Sequence, residues 1–163
     1  MKVRRWFLLL SVFAFALGAN GQTQKAKVSQ SAKLAAEWNE ARQISPAELE
    51  KRLTGPKGAR PPVLYVGFEI LYDGGHIPGA ILAGPASTTA GLAQLKEAVA
   101  KIPHDKEVVI YCGCCPWEKC PNVKPAYEAL RQMGFTRVVV LLLPQDFAHD
   151  WVGQGYPMER KKS

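Results

Sequence analysis

Four cysteines, Cys112, Cys114, Cys115 and Cys120, fall within nine residues and are the only cysteines in the chain of 163. Cysteines that staple a small fold are spread along it, so this clustering points to a site rather than to a disulfide scaffold. The chemistry open to such a group is that of thiolates: nucleophilic attack, disulfide exchange, or binding of a soft metal. Cys112 directly follows the apolar run Glu107–Tyr111 (EVVIY), which reads as a strand. That places its thiol at the carboxyl end of a central strand, where open α/β sheets hold their ligands. The loop 112–121 then enters a helix expected from about Asn122 to Met133. Amides and the positive dipole end at a helix start favour a thiolate and bind anions, so Cys112 is expected to be more acidic than a free cysteine. Lys119 can add a positive charge beside it.

Two other chemistries compete for the same residues. Cys112 and Cys115 have the C-x-x-C spacing of a dithiol pair, in which one thiol attacks and the other resolves the mixed disulfide. Four cysteines this close could also offer three or four thiolates to zinc or to a cuprous ion. The adjacent Cys114 and Cys115 converge poorly on one ion, so no metal is expected. No C-x-x-C-H occurs to attach a haem, and no cofactor is expected.

The chain that must position these thiols opens with Lys2, Arg4 and Arg5, an apolar run from Trp6 to Leu17, and small residues at Gly18, Ala19 and Gly21. This is the layout of a secretory signal peptide, with an apolar run short for a bilayer span. Cleavage after Gly21 (or Ala19) leaves a periplasmic or secreted protein with no membrane anchor. The remaining 142 residues suffice for one domain, and the formal charge falls from +7 to about +4. Basic residues are scattered apart from Arg160–Lys162, read as a solvated end, so no nucleic-acid partner is expected.

Residues 22–43 form a lead-in that is flexible at first, with helical composition over 32–43. Ser45-Pro46-Ala47-Glu48 holds an N-cap serine, a proline at the first helical position and a glutamate at N3, so a helix starts there. Val63–Val66 reads as a buried strand, 74–80 as a turn leading to a short strand near Ile81, and 90–101 as a helix capped by Thr88 or Thr89. Gly134 suits the C′ position of the helix after the cysteines, and the apolar 137–143 reads as a last strand. Strands alternating with helices imply an α/β sandwich with a mainly parallel sheet. His76 is read as a structural histidine bonded to backbone in its turn, and His104 and His149 are given no role in the site.

Several segments together resemble the rhodanese-like family of sulfurtransferases: Gly75–Ala80 (GHIPGA), Val108–Cys112 (VVIYC), Gly134-Phe135 with Arg137-Val138, and Trp151 with Gly155-Tyr156-Pro157. The similarity runs from about Ile44 to Met158, within a domain taken as 44–160. It implies a rhodanese-like α/β fold with helices flanking the sheet. It also implies that Cys112 takes sulfane sulfur from a small-molecule donor, as a persulfide, and passes it to a thiophilic acceptor or a protein thiol. By the same resemblance residues 113–119, including Gly113, Trp117, Glu118 and Lys119, form the anion cradle. Cys114, Cys115 and Cys120 are the candidate resolving or alternative thiols. The sequence departs from the family in three ways. The Asp-x-Arg pair after the first strand is replaced by Tyr65 and Gly67, the loop is long, and extra thiols crowd it. Loss of that pair keeps a catalytically inactive binding module open. The oligomeric state is not specified by the sequence.

Overall fold

The computed structural model of the protein describes residues 27, 29, 30, 32–34 and 36–161. The expected signal peptide, 1–21, lies outside the described residues. The chain divides into two units at Lys33. In the first, the described residues are helical and exposed; the second, from Leu34 onward, contains the sheet and all four cysteines. Among the described residues, no helix is long and apolar enough to cross a membrane.

Five strands make one wholly parallel sheet: β1 (Arg42–Ile44), β2 (Val63–Tyr65), β3 (Ile81–Leu82), β4 (Val108–Tyr111) and β5 (Val138–Leu141). Their spatial order is β1-β5-β4-β2-β3, so β4 lies at the centre. Both faces are covered, which is why the central strands read as unbroken apolar runs. Period-two alternation sorts their side chains. Leu64, Val108, Ile110, Val138 and Val140 face one core with Leu95, Val99, Tyr127 and Leu130. Val63, Tyr65, Val109, Tyr111, Val139 and Leu141 face the other with Ile44, Leu49 and Trp151.

Local chemistry starts the expected helices where the sequence predicts. Helix α1 (Pro46–Thr54) is capped by the Ser45 hydroxyl, which accepts from the Glu48 amide. A cap of this kind contributes about 1 kcal/mol. Between β2 and β3 lies α2 (Glu69–Gly74), and α3 (Thr89–Val99) is capped by Thr88 through the Gly91 amide. Helix α4 (Val123–Gln132) ends towards Gly134, whose φ of +94° is the left-handed conformation expected of a C′ glycine. A short α5 (Phe147–Asp150) follows β5.

The lead-in departs from expectation. Helix was predicted through Gln43, but Arg42–Ile44 is the edge strand β1, paired with Val139–Leu141. Helical residues 36–39 precede it. Burial of Ile44 against β5 overrides the helical composition of the segment. Helix α2 was not predicted; six residues closed by Gly75 are too short to show a periodic face.

Candidate functional site: a cluster of four thiols

The strand order creates the crevice that holds the thiols. After β2 the chain turns towards β3 at one edge, and after β4 it turns towards β5 on the other side. The two connections part at the carboxyl ends of β2 and β4, where α/β sheets bind ligands. Cys112 closes β4 there and is only 2% exposed. Gly67, just past β2, lies directly against it. A Cβ on Gly67 would stand 2.8 Å from Cys112 Sγ and 2.8 Å from the Tyr65 hydroxyl. A side chain there requires Cys112 or Tyr65 to shift.

The four thiols are free and form a connected group. Cys112 Sγ lies 3.3 Å from Cys114 Sγ, which lies 3.3 Å from Cys115 Sγ. Cys120 interacts through its sulfur with both Cys112 and Cys115. The sulfurs of Cys112, Cys114 and Cys120 all lie within 4.8 Å of one another, and Cys115 falls outside that group. The C-x-x-C partner expected for Cys112 is therefore not its neighbour; Cys114 is.

Charge is shared unequally. The amides of Asn122 and Val123, at the start of α4, donate to Cys120, and the Cys112 thiol donates to it as well. These hydrogen bonds, the one from Cys112 foremost, pull Cys120 down to about 5 against its burial. Cys112 moves the other way, raised first by its hydrogen bond to Cys120 and then by burial. Cys115 is pushed up to about 12, chiefly by burial and by Cys114. The helix-start acidity expected at Cys112 falls instead on Cys120, which these contacts favour as the thiolate of the pair. Cys112 still accepts from the Cys114 amide and from Asn122 Nδ2, at 3.5 Å.

The rest of the loop is scaffold more than cradle. A turn at Trp117–Lys119 carries the chain back so that Cys120 meets α4. The Trp117 amide donates to Leu143 O and the Lys119 amide to Pro116 O, so both are already used. Trp117 packs at 6.1 Å from Trp38, which in turn meets Tyr127 at 5.3 Å, so the segment before β1 braces the loop. Glu118 and Lys119 are exposed, and neither is among the groups that most perturb the thiols. The helix amides of Asn122 and Val123 are the cationic-end support that the leading interactions of Cys120 show. Gly113 turns with φ +83°, and a Cβ there would meet Phe147 Cβ at 2.8 Å. Its carbonyl accepts from the Phe147 amide, tying the loop to α5.

His76 is held within its turn. Its Nδ1 lies 2.7 Å from Tyr72 O, its ring stacks on Tyr72, and its backbone pairs with Glu159. The sequence reading missed Asn122, taken only as the start of a helix. Asn122 is fully buried; its Oδ1 accepts from the Ser87 amide while its Nδ2 donates to Cys112. An asparagine at a helix start ordinarily caps it, and here it makes no capping bond. Asn122→Ala orphans the Ser87 amide, and urea unfolding is expected to show a loss of about 1–3 kcal/mol. Stability within error of the parent would show that this bridge does not hold the crevice together.

Comparison with known proteins follows from this geometry. The Rhodanese-like domain family matches residues 45–143. Among curated proteins none matches the sequence. A rhodanese-like domain from Anabaena sp. superposes with a TM-score of 0.54 at 21% identity, covering 73% of this chain and 79% of that one. The polysulfide-sulfur transferase homodimer of Wolinella succinogenes gives 0.55 at 15%, covering 86% and 94%. A single-domain sulfurtransferase of Saccharomyces cerevisiae gives 0.53 at 20%, covering 71% and 91%. At these identities the structures speak for the fold, while the family match spans more than half of the sequence and takes in Cys112 and its whole loop. The chain belongs to the rhodanese-like domain family.

Proposed function

We propose that the protein is a sulfurtransferase that takes sulfane sulfur from a small anionic donor onto Cys112 and passes it to a thiophilic acceptor or protein thiol. We place it outside the cytoplasm, after loss of residues 1–21, on the charge and hydropathy of that segment. One observation carries the chemistry: the buried Cys112 thiol at the end of the central strand lies 3.3 Å from Cys114 and within 4.8 Å of Cys120, whose pKa its neighbours pull down. The fold is shared with proteins described as a polysulfide-sulfur transferase and a sulfurtransferase, which supports the same class of donor.

With thiosulfate as donor the step balances. Cys112 gives its proton to the Cys120 thiolate as its sulfur bonds to the outer sulfur of the donor. The donor's S–S bond breaks and sulfite leaves with the electron pair. A thiol, a thiolate and thiosulfate thus become a persulfide anion, a thiol and sulfite. The buried pair shelters the persulfide, and the Cys114 and Asn122 donors are placed to bond it.

Cys114 is the exposed thiol in contact with Cys112 and gives the sulfur its way out. Attack by its thiolate on the outer sulfur moves the persulfide to Cys114 and leaves Cys112 as thiolate. Steady-state transfer from thiosulfate to a protein-thiol acceptor tests this. Cys114→Ser is expected to keep loading of Cys112 but to slow turnover roughly tenfold or more, a loss of at least one positioned nucleophile. Unchanged turnover would remove Cys114 from the path.

The contacts also favour a second reading, disulfide exchange, with Cys112–Cys114 as the pair in place of Cys112–Cys115. It predicts reduction of a model disulfide at a rate lost in Cys114→Ser and kept in Cys115→Ser.

A further inference from the structure

The three thiols at the end of β4, given roles in sulfur transfer above, also converge closely enough to share one metal ion. We propose that Cys112, Cys114 and Cys120 form a three-thiolate site for a cuprous ion, independent of the sulfur-transfer reading. Three sulfurs bound to one ion at about 2.3 Å in a plane must lie about 4 Å apart. The observed group brackets this, with one edge at 3.3 Å and none beyond 4.8 Å. The sequence objection to a metal was that neighbouring Cys114 and Cys115 would have to share it. The structure removes that objection, because Cys115 lies outside the converging set.

Ligand number selects the ion. Thiolates favour Cu(I) and zinc, and structural zinc is almost always four-coordinate, whereas three sulfurs suit Cu(I). Binding displaces the protons remaining on the thiols to solvent, and one Cu(I) with three thiolates carries a net charge of −2. An excess of that size in a site with two buried ligands needs compensation. The amides of Cys114, Asn122 and Val123 and the side-chain amide of Asn122 already point at the sulfurs and supply it. The exposed Cys114 gives the ion a way in, by exchange from a carrier thiol or a free thiol complex.

The test is anaerobic titration of the fully reduced chain with Cu(I) against a chromophoric Cu(I) chelator, with X-ray absorption on the product. One ion per chain with three sulfur neighbours is expected. Cys114→Ser and Cys120→Ser should each weaken binding by roughly 100-fold or more, beyond the usual cost of losing an outer partner. Cys115→Ser should stay within about threefold of the parent, since it removes no ligand. Cys114 is exposed, so its effect cannot be ascribed to unfolding. Failure to compete with the chelator would overturn the proposal. So would two or more ions per chain, four sulfur neighbours, or a loss in Cys115→Ser equal to that in Cys114→Ser.

Discussion

Cys112→Ser is expected to abolish persulfide formation and to lower sulfurtransferase turnover on the order of a thousandfold or more, the scale on which removal of a nucleophile acts. The hydroxyl is close to the thiol in size and accepts hydrogen bonds, so the Cys114 amide and Asn122 Nδ2 keep a partner at this buried position. The fold should therefore survive, and unfolding by urea should move by no more than about 1 kcal/mol. Cys120→Ser makes the informative contrast. It leaves the nucleophile but removes the thiolate that receives its proton, so loading slows without disappearing. Full activity in Cys112→Ser would transfer the nucleophile's role to a neighbouring thiol, with Cys120 the first to examine by the same substitution.

The second large effect is expected at a residue with no chemistry of its own. Gly67→Ala puts a methyl 2.8 Å from Cys112 Sγ and from the Tyr65 hydroxyl, with the Tyr65 Cζ at 2.9 Å. Tyr65 is itself buried and packed against Tyr72 and Tyr111, so it has little room to give. Overpacking of this kind costs about 1–3 kcal/mol. The soft side of the contact is the thiol, so Cys112 should swing away from Cys120, and sulfur loading should fall along with stability. Unfolding midpoints and the rate of persulfide formation, measured on the same preparation, check both. Wild-type values for each would show that the β2 connection is not the wall of the site.

Much of this was written locally. Apolar runs marked β2, β4 and β5, Ser45-Pro46 and Thr88 marked helix starts, and Gly134 marked a helix end. Each depends on chemistry within a few residues, which a sequence displays directly. Strand β1 was hidden because three residues with little strand character are held there by β5, a partner nearly a hundred positions away. The concentration of thiols was equally plain, but their division of labour was not. Proximity along the chain put the helix start next to the cysteine loop as a whole. Only the turn at Trp117–Lys119 decides that Cys120, and not Cys112, receives the amides of Asn122 and Val123. The absence of the polar pair could be counted from His76, but the closeness of Gly67 to Cys112 exists only in three dimensions. Asn122 escaped for the opposite reason: its place at the expected helix start concealed its contacts with Ser87 and Cys112.

The central claim is that this cluster carries sulfur on Cys112. Mass spectrometry of the intact, fully reduced protein, before and after thiosulfate and under non-reducing conditions, tests it most directly. The account predicts a gain of one sulfur mass, mapped by digestion to Cys112 and absent from Cys112→Ser. No gain with all four thiols still free would contradict it and leave a binding module built on the same fold.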